Sequence, residues 1–278
     1  MERNNASLKS SSIPKIIVGI LVVVALYYLY SFLTSNSGLE GNVVLSSIKP
    51  ADTSTPYITL SNQVPAIYEG GEASFNTWLY INNYSTRSGY NKHVLSFGGD
   101  NFTTCVVYLG PYKNKLSVRV QTTAPSSATS SDVNLTESAL YGTNGLFMKN
   151  ITDSSLLDTN TPCDITTVEL QKWVQLSVIL NNKTCDVYLD GKLTRSCILP
   201  SFYRVDNANK KVILCNKGGF GGFVSNVSVY NYALNPEQIW KLYMNGPGPQ
   251  YSVWDYITSL FSPSSAMTLD YPKQNITV

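Results

Sequence analysis

Charge is what this sequence has least of. Only 14% of its 278 residues are Asp, Glu, Lys or Arg, and 20 basic against 18 acidic side chains leave a net of +2. Binding a phosphate polymer means neutralising many phosphates at once, so nucleic acid is excluded as the main partner. Histidine is nearly missing, with His93 standing alone. That excludes multi-histidine metal sites and makes any Ser-His-Asp triad depend on one residue. The five cysteines (Cys105, Cys163, Cys185, Cys197 and Cys215) have no C-x-x-C spacing, which argues against zinc. The run Gly218, Gly219, Gly221, Gly222 lacks G-x-G-x-x-G spacing and opens no long helix. It reads as close backbone approach around Phe220 and Phe223 rather than as a phosphate cradle.

What the chain has in quantity is apolar and aromatic: 43% hydrophobic residues and 19 tyrosines, among abundant Ser, Thr and Asn. This composition describes a β-rich protein with polar loops. The length suits one or two domains with a real core.

Residues 16–33, IIVGILVVVALYYLYSFL, carry no charge. Eighteen residues at about 1.5 Å each make a helix of roughly 27 Å, near the thickness of a hydrocarbon core. Tyr27, Tyr28 and Tyr30 fall at its far end, where amphipathic rings favour the interface. Arg3, Lys9 and Lys15 precede it, and Glu40 is the first charge after it. The positive-inside rule then keeps residues 1–15 on the inner side and sends the bulk of the chain outside. The run is longer than a signal-peptide core and its exit is aromatic, so an uncleaved single-pass anchor is expected, with a stalk at 34–41. All five cysteines lie beyond it; some are expected to pair, and the odd count leaves at least one over. Sequons at Asn83, Asn101, Asn134, Asn150, Asn182, Asn226 and Asn275 permit N-glycosylation if the chain passes through an endoplasmic reticulum.

Beyond the stalk the hydrophobic period is two. In KLSVRVQT, Leu116, Val118 and Val120 alternate with Lys115, Ser117 and Arg119; in WVQLSVIL, Val174, Leu176, Val178 and Leu180 alternate with Gln175 and Ser177. Such segments predict half-buried antiparallel strands. YITL (57–60), FNTWLYI (75–81), HVLSF (93–97), CVVYL (105–109), DVYL (186–189), KVILC (211–215) and FVSNVSVY (223–230) add to the count. Asp190-Gly191 is a two-residue hairpin turn. Trp78 and Trp173 are expected to fill the gap between two sheets. Asn235-Pro236-Glu237 starts a short helix that docks through Ile239, Leu242 and Tyr243. Residues 121–162, rich in Ser, Thr and Asn with apolar islands at 140–141 and 146–148, are expected to form a surface insertion or partly mobile excursion. The tail, 248–278, follows Gly246-Pro247-Gly248-Pro249; its segment SVWDYITSLF has Val253, Ile257, Leu260 and Phe261 at helical spacing. This short amphipathic helix would cover the sandwich, a membrane surface or a partner. The pattern as a whole predicts an all-β sandwich or jelly roll.

Three stretches in order resemble one family. SFNTWLYINNYSTRSGYNKHVLSFGG (74–99) is similar to the entry and return strands of a LamG-like domain, one of the concanavalin A-like lectin/glucanase jelly rolls. KWVQLSVILNNKTCDVYLDGKLTRSCILP (172–200) resembles its Trp-led strand and Tyr-x-Asp-Gly-Lys hairpin, and GGFGGFVSNVSVYNYALNPEQIWKLYMNGP (218–247) its closing strand and helix. The resemblance covers about residues 42–247, with the insertion unmatched. The wording CDIT…LQKWV…DVYLDGKLTRSCILP…GGFGG is also similar to LamG-like proteins of large double-stranded DNA viruses of algae and protists. That likeness implies a virion protein in a viral membrane, in contact with capsid proteins or glycans.

Candidates for disulfides are Cys163, Cys185, Cys197 and Cys215. Cys185 and Cys197 flank the hairpin, but counting out from the turn sets Cys185 opposite Ser196, so joining them needs a bulge or a diagonal. The competing pair, Cys163 with Cys197, is implied by the viral resemblance. Glucanases of this fold use closely spaced carboxylates in a Glu-x-Asp-x-x-Glu pattern, and none occurs here. Glu69 and Glu72 read as loop, and Asp186 and Asp190 as hairpin. His93 reads as structural. Calcium occurs in LamG relatives, and Asp100, Asn101 and Asp206 are the loop oxygens available, without a dense acidic loop. Tyr80, Tyr84, Tyr90, Tyr112 and Tyr203 are the candidates for stacking against sugar, beside the alternative that the tyrosines cover sheet faces. The expectation is therefore a non-catalytic, membrane-anchored sandwich in a virion, with a carbohydrate-binding lectin as the alternative and a diverged glycosidase as a third reading.

Overall fold

The computed structural model describes residues 13–34, 42–59, 61–123, 135–151 and 163–248. The chain divides into two compact units, Met1–Glu40 and Gly41–Val278. The first contains helix α1, Ile13–Thr34, longer than the expected apolar run by three residues at its start and one at its end. Its side chains are described only over 17–30, a stretch shorter than one span. Among the described residues no helix is long and apolar enough to cross a membrane.

The second unit is a sandwich of two antiparallel sheets. Sheet A contains β1 (Asn42–Leu45), β2 (Lys49–Pro50), β4 (Glu72–Asn83), β9 (Trp173–Asn181), β10 (Thr184–Leu189), β11 (Lys192–Ile198) and β13 (Gly221–Tyr230), in the order β1-β13-β4-β9-β10-β11 with β2 also on β13. Sheet B contains β3 (Tyr57–Thr59), β5 (Lys92–Gly98), β6 (Thr103–Leu109), β7 (Leu116–Val120), β8 (Asp164–Ile165) and β12 (Lys211–Leu214), in the order β3-β12-β5-β6-β7-β8. The segments with period two are these strands. Alternation sends Ala73, Phe75, Leu79 and Ile81 of β4 and Val174, Leu176, Val178 and Leu180 of β9 inward. They meet Leu95 and Phe97 of β5 and Cys105, Val107 and Leu109 of β6 from the other sheet. Two glycines make the β13 side possible. A side chain on Gly219 (φ +44°) would meet the Ala51 carbonyl oxygen at 2.0 Å, and one on Gly222 the Tyr80 carbonyl oxygen at 1.9 Å.

β10 and β12 keep the half-buried alternation, but β4, β5, β6, β7 and β9 are buried on both faces, because other segments lie over the middle of each sheet. Gln175 and Ser177 are fully buried, as are Ser117 and Arg119 to within 5%. Over sheet A lies α3 (Pro236–Asn245), capped by Asn235, whose side chain accepts from Gln238 N–H while the Gln238 side chain accepts from Asn235 N–H. Beneath it, Asn76 Oδ1 accepts from Gln175 Nε2 at 2.8 Å and from Ser177 Oγ at 2.9 Å. Ile239 is buried, and Tyr243 stacks on Trp78 at 5.8 Å. Trp78 and Trp173 therefore do not fill the gap between the sheets. They share the outward parity of Asn76 and Tyr80 on β4 and of Gln175 on β9, opposite to the core residues. Replacing Asn235 by Ala removes one end of the capping box and should cost about 1 kcal/mol of stability, read as a lower urea midpoint.

Over sheet B lies the described part of the insertion, 135–151, with α2 (Glu137–Tyr141). It is not a loose excursion. Leu135, Leu140, Leu146 and Phe147 form a second buried cluster with Val106 and Tyr108, the outward residues of β6. Leu135 is also tied into the sheet by its backbone: its N–H donates to Gln121 Oε1 at 2.6 Å, and its carbonyl accepts from Thr103 N–H at 2.8 Å. The apolar islands in the polar segment are a lid, and their burial supplies the reason they order. Arg119, turned toward this face, is satisfied by Asp164 at 2.5 Å. The expected tail helix at 252–261 lies outside the described residues.

Candidate functional site

Catalytic chemistry is the first test. His93 Nε2 lies 3.0 Å from Ser96 Oγ, the spacing of a nucleophile and its base. The other ring nitrogen, Nδ1, accepts from Asn216 N–H at 3.2 Å, so the proton sits on Nε2 and is donated to Ser96. A general base needs the reverse arrangement. His93 is fully buried, packs 5.2 Å from the Phe147 ring, and burial pushes it down to about 3, fixing the neutral form. The carboxylates are already engaged, Asp190 twice, since Lys172 Nζ also lies 3.4 Å from it. Asp186 accepts from Ser196 Oγ at 2.5 Å, Asp190 from Gln175 N–H at 2.9 Å, and Glu72 from Ala233 N–H at 3.1 Å.

Calcium fares no better. Asp206 accepts from Asn101 N–H (2.6 Å), Phe102 N–H (3.3 Å), Ala208 N–H (3.0 Å) and Asn101 Nδ2 (3.3 Å). Burial by itself would raise this carboxyl, but the donors from Ala208, Asn101 and Phe102 outweigh it and hold the pKa below the usual range. Its lone pairs are spent on the loop, and Asp100 bonds Asn209 at 2.6 Å and Lys211 at 3.1 Å. Among the described residues no group of three His, Cys, Asp or Glu could hold a metal ion.

The cysteines resolve into one bond and three thiols. Cys163 is joined to Cys197, while Cys105, Cys185 and Cys215 are free and buried. Cys185 and Cys215 thus drop out as disulfide partners, with burial pushing Cys215 up to about 12. The hairpin register is also corrected: Cys185 faces Cys197, not Ser196, because a bulge between Val187 and Tyr188 shifts the strands by one. Of the sequons, Asn83, Asn101, Asn150 and Asn182 are exposed, and Asn134 and Asn275 lie outside the described residues. Asn226 is half-buried, donating to the Gly246 and Gly248 carbonyls at 2.8 and 2.9 Å.

The five candidate tyrosines fall into three places. Tyr203 is fully buried in the core and cannot stack on a ligand; its position inside the sandwich, beside Leu199 and Val205, is structural. Tyr80 stands on the outer face of sheet A between Trp173 (5.5 Å) and Phe223 (6.2 Å), three half-buried rings on adjacent strands. Tyr84, Tyr90 and Tyr112 come together at the loops that end β4, β6 and the insertion. There Gly89 N–H donates to the Pro111 carbonyl at 3.3 Å, Asn150 N–H to the Gly89 carbonyl at 2.7 Å, and Tyr112 OH to Asn150 Oδ1 at 2.8 Å. Tyr112 is 61% exposed. The Arg87 guanidinium lies 4.5 Å from the Tyr90 ring centre. Tyr84 is instead a clamp: its hydroxyl donates to the Gly110 carbonyl at 2.7 Å and also contacts that of Lys113.

Under Tyr84 is Lys92, fully buried, its Nζ 4.4 Å from that ring and 3.2–3.4 Å from the carbonyls of Tyr90, Gly110 and Pro111. Burial first, and Arg87 second, push it down to about 8. Sequence reasoning passed over Arg87 and Lys92, gave Asn150 only as a sequon, and set Trp173, a partner of Tyr80, in the core. A signal for the first two was present: segments 84–92, 110–115, 141–151 and 215–219 contain no Asp or Glu.

The sequence profile of the concanavalin A-like lectin/glucanases superfamily matches residues 52–240. No curated protein matches the chain. Similar solved structures include the ligand binding domain of botulinum neurotoxin serotype D in complex with N-acetylneuraminic acid, at 16% identity and TM-score 0.44, covering 76% of this chain and 47% of that one. The binding domain of botulinum neurotoxin serotype G is at 14% and 0.43, covering 75% and 47%. A Trypanosoma rangeli sialidase in complex with 2,3-difluorosialic acid is at 14% and 0.37, covering 65% and 24%. The chain spans less than half the length of these solved chains. The match over residues 52–240 covers more than half of the sequence, and the chain belongs to the concanavalin A-like lectin/glucanases superfamily.

Proposed function

We propose that this chain is a non-catalytic, membrane-anchored recognition module that binds glycans through the loop cluster of Tyr90, Tyr112 and Asn150. The observation that supports this is the exposed Tyr112 ring beside an exposed amide and a guanidinium, the combination of a flat apolar face and a few polar groups that sugars require. The proton arrangement at His93 and the engagement of Asp186, Asp190 and Glu72 by other groups support a binding role over hydrolysis. The anchor is residues 16–33, uncharged and within a 22-residue helix, with residues 1–15 inside and the sandwich outside. The setting is the virion membrane of a large double-stranded DNA virus, a reading supported by the resemblance of the sequence to such proteins.

The test uses the full chain in neutral-lipid nanodiscs on a glycan array. Retention on one sugar class is expected, with Tyr112→Ala binding at least tenfold more weakly. A blank array overturns the glycan reading. The second reading is a brace to capsid proteins. It is favoured by β11, an edge strand of sheet A on which Leu193 and Ile198 are 53% and 80% exposed. Capsid proteins retained by the wild type and lost on Leu193→Lys with Ile198→Lys would support it.

A further inference from the structure

The loop cluster carries more positive charge than the rest of the chain would suggest. Its four segments, 84–92, 110–115, 141–151 and 215–219, hold one Arg and five Lys with no Asp or Glu, in a chain whose net charge is +2. Contacts join them. Tyr90 bridges to Lys149, Gly89 N–H reaches Pro111, and Lys217 Nζ lies 5.6 Å from the Tyr141 ring centre. A side chain on Gly218 would meet Arg87 Nη1 at 2.9 Å, so the Arg87 head lies along that loop. Lys115 is neutralised by Asp164 at 2.7 Å, outside the cluster. Among the described residues no ion pair occupies Arg87, Lys113, Lys149 or Lys217.

Two features mark Arg87 as the centre. Its backbone is left-handed (φ 54°), a conformation that costs any residue with a Cβ and that glycine would adopt freely. Its Nε is buried and finds no hydrogen-bond acceptor among the described residues. Behind it, Lys92 is a second cation, buried against carbonyl groups, with no carboxylate paired to it among the described residues. The lowering of Lys92 by burial and by Arg87 agrees with a site whose local potential is positive.

Resting on the glycan reading above, we propose that this cluster selects acidic glycans, with the sugar's carboxylate or sulfate set against the Arg87 guanidinium and its ring against Tyr112. Arg suits this role because its fork presents parallel donors to a planar or tetrahedral oxyanion. Lys113 and Lys149 add a field that steers the anion without touching it. The rings and the Asn150 amide favour a sugar over a bare anionic surface, and the low net charge of the chain disfavours a long polyanion.

The experiment measures binding of 3′-sialyllactose, lactose 3′-sulfate and plain lactose to the full chain in neutral-lipid nanodiscs. At least one acidic sugar is expected to bind tenfold or more tightly than lactose, and to weaken as salt rises. Arg87→Gln should lose that tenfold preference and Arg87→Lys should keep part of it. Lys113→Gln with Lys149→Gln, both exposed, should weaken acidic binding at least threefold even if the Arg87 variants fold poorly. Lys211→Gln, outside the cluster, should change nothing. Equal binding of lactose overturns the acidic preference while leaving glycan binding in place. Acidic binding indifferent to both the Arg87 and the double Lys variants overturns the site. Failure of every sugar overturns this proposal and the glycan reading together. Binding only to phosphatidylserine vesicles overturns it in favour of a lipid surface.

Discussion

Replacing Cys197 with serine is expected to cost the sandwich about 4 kcal/mol, the chain-entropy value for a closed loop of this size. The bond from Cys163 to Cys197 spans 34 residues, and it ties the far end of the insertion to the edge strand β11. Without it, the unfolded chain regains the freedom of that loop. Replacing Cys163 should cost less under oxidising conditions. Cys185 stands directly opposite Cys197 across the hairpin, near enough in register for a substitute bond. Guanidinium unfolding of both variants, with disulfide mapping by mass spectrometry, checks the pair. Equal losses with no Cys185–Cys197 bond in Cys163→Ser would show that the opposed thiol cannot serve.

Acid is expected to destabilise the domain well before its carboxylates protonate, through His93. The imidazole is buried and neutral, pushed down to about 3, against about 6.5 when the chain is unfolded. Between those values the unfolded state binds the extra proton, so stability rises with pH and is lost as pH falls below about 6.5. The slope is about 1.4 kcal/mol per pH unit, or about 2 kcal/mol between pH 6.5 and 5. Asp164 works in the same direction only at lower pH. Its burial is outweighed by Arg119 and Lys115, which hold its pKa below the usual range. His93→Gln can still accept from Asn216 N–H and donate to Ser96, and it does not titrate. Urea midpoints of this variant should be flat from pH 6.5 to 5, where the wild type declines. A parallel decline in both proteins would remove His93 from the account.

The burial of His93 also shows where sequence reading stops. Its residue type and isolation were enough to read it as structural, and the structure bears out that reading. Nothing in the local pattern says that 135–151 folds back over β5 and β6, because its apolar residues have neither helical nor strand period. Its partners, Val106 and Tyr108, are legible only as the outward half of an alternating strand. The same applies at sheet A. Trp78 looked like a core anchor by size, yet its parity, opposite to that of Phe75 and Leu79, sends it outward, where Tyr243 of α3 meets it. The hairpin register failed for a smaller reason: the bulge at Val187 and Tyr188 adds one residue that no turn signal announces.

The candidate site divides along the same line. Composition and loop position offered tyrosines as candidates; the fold leaves Tyr112 exposed on a loop and Tyr90 half-buried near it, and takes Tyr203 into the core. The joining of Arg87, Tyr112, Lys149 and Asn150 from separate loops required the fold.

By itself, then, the sequence determined the all-β class, the position of the longer strands but not of β1, β2 or β8, the Asn235 cap, and an uncharged run of membrane-spanning length. Each of these depends on periods of two, turn residues or local hydrogen bonds, all of which act within a few residues along the chain. Only the tertiary structure decided which thiols pair, which aromatics face outward, what covers the two outer faces, and which cations share one cluster of loops. Those outcomes depend on sheet parity, a single bulge and contacts between segments tens of residues apart, and no local pattern in the chain encodes them.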